Sequence, residues 1–155
     1  MIRRIHIIID CSGSMMAYGK KEILLNANRA LRRCSMKREY QSFQIDFYQW
    51  NTEITIWNKG TLQIHGSADI NAFMNFLEEC EENDRILLLS DGSFSLDEIE
   101  IKLKQDKIIL LPIAVGADAD LNSLKRMSSV RKVYTISSII DVFERICNGF
   151  DQEVR

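Results

Sequence analysis

Three unbroken apolar runs punctuate this chain, and two of them stop at a carboxylate. Ile7-Ile8-Ile9 runs into Asp10, Ile86-Leu87-Leu88-Leu89 runs through Ser90 into Asp91, and a third run follows Lys107 and extends to Val115. Short β-branched and aliphatic runs of this kind read as strands buried on both faces. Phe43, Ile45 and Phe47 instead alternate with Gln44 and Asp46, as does the stretch 53–57 beyond Asn51-Thr52. Alternation marks half-buried strands, and the short turn makes them a hairpin that gives the sheet one antiparallel edge. Trp50 and Trp57 flank that turn symmetrically and are expected to pack across it. Pro112, the single proline, lacks a donor and predicts a bulge or a terminal position in its strand.

Helical spacing separates these runs. Ile23, Leu24, Ala27, Ala30, Leu31 and Cys34 form one face of a helix over 20–37. Asp69 is placed to cap a second, with Ile70, Phe73, Met74, Leu77 and Cys80 on its face. Leu96, Ile99 and Leu103 mark a third, and Asp118 or Asp120 opens a fourth with Leu121, Leu124 and Met127 inward. A short strand over 133–136 precedes a last helix carrying Ile139, Val142, Phe143 and Ile146. Strands alternating with helices predict an α/β, Rossmann-like fold: a doubly wound, mostly parallel sheet with one antiparallel edge strand and helices on both faces. The first strand is then central, and Asp10 and Asp91 meet on neighbouring strands at the topological switch point, where such sheets bind ligands.

Composition changes this picture little. The length of 155 residues is that of a single domain, 1–155. A net charge of −2 offers no general field for nucleic acid or an anionic membrane. Arg29, Arg32, Arg33, Lys37 and Arg38 crowd the end of the first helix without interleaved aromatics, so they read as a solvated, dipole-complementing face. The apolar run after Arg3-Arg4 is too short for a signal-peptide core, and no stretch could span a bilayer. Four dispersed cysteines without a C-x-x-C pair read as reduced thiols, which places the expected location in the cytoplasm.

The chemistry lies at the strand ends. Asp10, Ser12, Ser14 and Asp91 offer only oxygen, the ligand set of a hard divalent cation such as Mg²⁺ (or Mn²⁺). Cys11 reads as a packed thiol and His6, within the first strand, as a buried neutral imidazole with a hydrogen-bonded partner. A phosphate loop is excluded by the missing G-x-x-x-x-G-K, and two isolated histidines support no Ser/His/Asp set. A haloacid-dehalogenase-type, Mg²⁺-dependent phosphatase is the enzymatic alternative, since it too ends a strand in Asp. It needs an acid–base Asp two residues on, where this chain has Ser12. A metal-independent scaffold with a degenerate site is the third reading.

Asp10-Cys11-Ser12-Gly13-Ser14 together with the distant Asp91-Gly92 resembles the metal-ion-dependent adhesion site of von Willebrand factor type A domains, and the resemblance runs from Ile5 to about Phe150. It implies a protein–protein interaction module, not an enzyme, in which Mg²⁺ and a Glu or Asp of the partner complete one octahedron. Gly66-Ser67-Ala68-Asp69 is similar to the family's Thr-bearing turn, with Ala68 where a ligating Thr is usual. Ser67 is then the substitute ligand or water fills the gap, and His65 is either an ordinary exposed loop histidine or a rim residue. The chain looks like the compact, stand-alone bacterial members found in tellurium-resistance-associated systems. For those the expected partners are a kinase, a phosphatase or an AAA-type ATPase, with no nucleic acid and no membrane.

Overall fold

In the computed structural model, which describes residues 3–149 apart from 59 and 95, β1 (Arg3–Asp10) lies at the centre of the sheet. Its apolar run needs cover on both faces because alternate side chains point to opposite layers. Ile5, Ile7 and Ile9 enter one core and Ile8 the other. Among the described residues the sheet also contains β2 (Phe43–Trp50), β3 (Ile54–Ile56), β4 (Arg85–Ser90), β5 (Ile109–Ala114) and β6 (Tyr134–Thr135). Their order is β3-β2-β1-β4-β5-β6, with every pairing parallel except β2 against β3. This is the doubly wound sheet with one antiparallel edge that the hydrophobic pattern predicts.

Five α-helices cover it among the described residues: α1 (Lys20–Ser35), α2 (Ile70–Glu79), α3 (Asp97–Gln105), α4 (Leu121–Met127) and α5 (Ile139–Asn148). α1 and α5 pack Leu24, Leu31, Phe143 and Ile146 on the Ile5 side, while α2 and α3 pack Phe73, Leu77, Ile99 and Leu103 on the Ile8 side. The Asp69 side chain accepts from the Ala72 amide at 3.1 Å, so it caps α2 as expected. Asp120, rather than Asp118, does the same for α4 through the Ser123 amide.

Three local expectations are corrected. Trp50 and Trp57 do not pair across the hairpin, because they face opposite sides of the sheet. Trp50 packs on Phe73 and Phe94, while Trp57 joins the other core beneath the Arg32 guanidinium. Leu121, expected inward, is 57% exposed, since α4 begins there and only its later turn reaches the core. Pro112 is neither terminal nor at a bulge but pairs with Leu88 in mid-strand. The parity of β5 explains this: Ile109 and Val115 donate towards β4, whereas Leu110 exchanges bonds with Ser129 on the far side. Pro112 shares Leu110's parity, and β6 pairs only with Ile113 and Ala114, so no strand needs a proline donor there.

Candidate functional site

The parallel pairing of β1 and β4 brings their carboxyl ends side by side, so two carboxylates 81 positions apart open onto one crevice. Each makes the same local turn. Asp10 Oδ1 accepts from the Ser12 amide at 2.9 Å, and Asp91 Oδ1 accepts from the Ser93 amide at 3.1 Å. Asp side chains that bond two residues onward hold the chain in a tight turn, which directs the following hydroxyls back towards the strand ends.

Those hydroxyls form a row. Ser12 Oγ lies 3.1 Å from Ser14 Oγ, and Ser14 Oγ lies 3.0 Å from Ser93 Oγ, which in turn donates to Asp91 Oδ1 at 2.7 Å. An octahedron with metal–oxygen bonds near 2.1 Å has edges of about 3.0 Å, so neighbouring hydroxyls already stand at the spacing of adjacent Mg²⁺ ligands. The donor set and its spacing fit a hard divalent ion. Asp10 Oδ2 also accepts from Ser90 Oγ at 2.6 Å, so protein donors engage both oxygens of this fully buried carboxylate. Asp10 is therefore arranged to act on an ion through water, while Ser12 and Ser14 present hydroxyls directly.

The two carboxyls differ electrostatically. Burial pushes the Asp10 carboxyl above the usual range; the bonds from Ser90 and Ser12 offset part of that rise, and the nearby charge of Asp91 adds to it. Burial also opposes ionisation of Asp91, but bonds from Ser93, Ser14 and Lys20 outweigh it, and its carboxyl titrates below the usual range.

Lys20 is the feature hidden from the pattern reading. Its side chain is fully buried at the start of α1, and its Nζ donates to Asp91 Oδ2 at 3.1 Å, to the Asp118 carboxylate at 2.8 Å and to the Ser14 carbonyl at 3.3 Å. Burial lowers a lysine's pKa, yet Asp118 and Asp91 more than compensate, and Lys20 titrates above its ordinary value. Gly116 makes room for it: a Cβ there would lie 2.6 Å from Lys20 Cε, at a φ of +88°. The signal was present in the sequence, because Lys20 falls on the same helical face as Leu24, Ala27 and Leu31. Ser93 was legible too, since Asp91-Gly92-Ser93 repeats the spacing of Asp10-Cys11-Ser12.

The loop before α2 does reach the site. His65 donates its amide to the Cys11 carbonyl at 3.0 Å, and the Gly13 amide donates to the Gly66 carbonyl at 2.7 Å. The His65 and Ser67 side chains are exposed, whereas the Ala68 methyl is buried among Ile8, Trp50 and Phe73. The structure thus brings Asp10, Ser12, Ser14 and Asp91 together, ties the His65 backbone to the turn while leaving its side chain exposed, and turns position 68 into the core.

Comparison with solved structures bears on this arrangement. VWA2, an ArnB paralog from Sulfolobus acidocaldarius, superposes with a TM-score of 0.63 at 18% identity, over 90% of this chain and 43% of that one. The fold is that of a von Willebrand factor A domain. Proximal thread matrix protein 1 from the mussel byssus, in a structure with a zinc-occupied MIDAS motif, matches with a TM-score of 0.63 at 15% identity, over 92% of this chain and 46% of that one. The manganese-loaded TRAP protein of Plasmodium vivax matches with a TM-score of 0.68 at 14% identity, over 94% of this chain and 73% of that one. This chain spans less than half the length of the first two. No protein-family model matches the sequence, and no curated protein matches it. Among the described residues, no helix of this A-domain fold is long and apolar enough to cross a membrane.

Proposed function

We propose that the strand-end crevice takes a divalent cation, Mg²⁺ or Mn²⁺, and uses it to recognise a Glu or Asp side chain of a protein partner. The observation that carries this reading is the row of Ser12, Ser14 and Ser93 hydroxyls spaced at about 3 Å between two carboxylates. Ser12 and Ser14 would hold the ion directly, and Asp10 and Asp91 through water. With both carboxylates kept at one remove, the ion retains attraction for an outside anion, which is what a recognition module needs. Structures of the same fold described as manganese-loaded and as having a zinc-occupied motif support the ion. Ala68 supplies no oxygen, so its position in the ligand set falls to water, to Ser67 or to Ser93.

The protein works by binding rather than turnover in this reading, because Ser12 stands where a phosphatase of similar strand-end design needs a proton-transferring carboxylate. Its setting is the cytoplasm of a bacterium, beside a kinase, a phosphatase or an AAA-type ATPase. A ligand that binds only the folded state adds RT ln(1 + [L]/Kd) to stability, about 2.7 kcal/mol at a hundredfold excess over Kd. Millimolar Mg²⁺ or Mn²⁺ should therefore raise the melting temperature of the wild type and leave Asp10→Ala unmoved, and the Mg²⁺-loaded protein should hydrolyse no phosphomonoester. An equal thermal response in Asp10→Ala would put the ion elsewhere, and turnover abolished by Asp10→Asn would replace binding with catalysis.

A further inference from the structure

A second cluster of metal-binding side chains lies midway along β1, away from its carboxyl end. His6 and Asp10 are four residues apart on one strand, about 13 Å at the usual rise, so this cluster shares nothing with the crevice. His6 is 2% exposed, and its Nε2 lies 3.1 Å from Oδ2 of Asp84, which is 4% exposed just before β4. Cys80, at the end of α2, completes a trio whose ligand atoms all lie within 4.8 Å of one another. The three come from separate places in the chain: a central strand, a helix terminus and the loop ahead of the next strand.

We infer that His6, Cys80 and Asp84 form a site for a borderline-soft divalent cation, of which Zn²⁺ is the natural occupant. One imidazole nitrogen, one thiolate and one carboxylate suit such an ion and not Mg²⁺. Around a tetrahedral zinc these ligand types stand about 3.3–3.7 Å apart, given bond lengths near 2.0–2.3 Å, so side-chain rotation suffices to close the trio on an ion. The charges also balance, since a thiolate and a carboxylate neutralise the cation in a buried place. The His6 ring is held edge-on by Phe76, with centroids 5.2 Å apart, and lies 5.8 Å from Tyr48. Its buried Nδ1 has no hydrogen-bond partner, so freeing Nε2 for the ion leaves an unpaired N–H there, a cost that coordination has to offset. Asp84 is aimed by the Glu81 amide, which donates to Oδ2 at 3.1 Å.

Access and competition are both visible. Cys80 is partly exposed and lines an open surface cavity rimmed by Glu78, Glu82 and Asp106, which gives a cation a path to the thiol and leaves a fourth ligand position to water. Lys102 and Lys107 share that rim, each already paired with a carboxylate, Asp106 and Glu82 respectively. Arg4 is the competitor: its Nε stands 3.6 Å from the same Asp84 oxygen without a hydrogen bond, and the guanidinium lies equally near Glu81. Withdrawal towards Glu81, which is mostly exposed, releases Asp84 to the ion.

Cobalt tests this independently of the strand-end site, because Co²⁺ occupies zinc sites and a thiolate ligand gives it a near-ultraviolet charge-transfer band. Metal-free full-length protein titrated with Co²⁺ should develop that band with one equivalent and lose it when Zn²⁺ is added. Asp10→Ala should keep the band, Cys80→Ser should lose it, and Arg4→Gln should reach saturation at lower Co²⁺. Cys80 is partly exposed, so the serine variant should fold, and its near-ultraviolet circular dichroism checks that. Absence of the band in the wild type would overturn the proposal. So would its persistence in Cys80→Ser, which would assign it to another thiol such as Cys11.

Discussion

Lys20 holds a full charge where no water reaches it, and the reason lies in its three oxygen acceptors. Removing one partner of a buried ion pair leaves the other uncompensated, at a cost of roughly 3–5 kcal/mol when both are fully enclosed. Asp91 is enclosed but Asp118 is nearly half exposed, so Lys20→Met should cost about 3 kcal/mol in urea titrations. A cation in the crevice would return positive charge to Asp91, and added Mg²⁺ should therefore restore part of the loss and stabilise this variant more than the wild type. An identical loss with and without Mg²⁺ would remove Asp91 from the ion's surroundings. Residue types alone pointed to Asp10, Ser12, Ser14 and Asp91. Lys20 and Ser93 left only indirect signals, a helical-face position and a repeated Asp-x-Ser spacing, because partners 71 and 98 positions from Lys20 and 79 from Ser93 cannot be read locally.

At the scale of elements, strand existence followed from apolar runs, and strand neighbours followed from the order in which helices and strands alternate. Facing was harder to read. Trp50 and Trp57 are symmetric about a turn in sequence, yet the pleat sends them to different cores. Pro112 shows the same limit, because whether a proline suits a strand depends on which edge its parity faces. Since β6 begins only at Ile113 and Ala114 and leaves no strand acceptor opposite residue 112, Pro112→Val creates no missing ladder bond and relieves none. The expected change in stability is small, within about 1 kcal/mol, and arises from the freer unfolded chain and altered ring packing. A denaturant midpoint far below the wild type's would mean that the ring fills a demanding place in the core rather than merely a tolerated one. Gly116 stands at the opposite extreme, where both a φ of +88° and the Lys20 side chain exclude any Cβ.

Taken as one molecule, the domain keeps two kinds of donor at separate points on a single central strand: oxygens where β1 stops, and an imidazole with a thiol and a carboxylate midway along it. The first end was legible because its residues are contiguous in sequence and recur after a second strand. The second was not, because His6 reads as an ordinary core residue until the loop before β4 folds onto it. The Lys20 contacts carry a further consequence at this scale. An ammonium fixed by covalent bonds to the chain cannot diffuse away, and it ties the turn after β1, the turn after β4 and the loop after β5 into one unit. The entrance is then already built before any ion arrives, so an ion's coming and going is paced by its water shell and not by loops that melt and re-form. Amide hydrogen exchange at Ser12 and Ser93, whose N–H groups are bonded to the two aspartates, should be equally slow in chelator and in Mg²⁺. Marked acceleration in chelator would show instead that the ion assembles its own doorway.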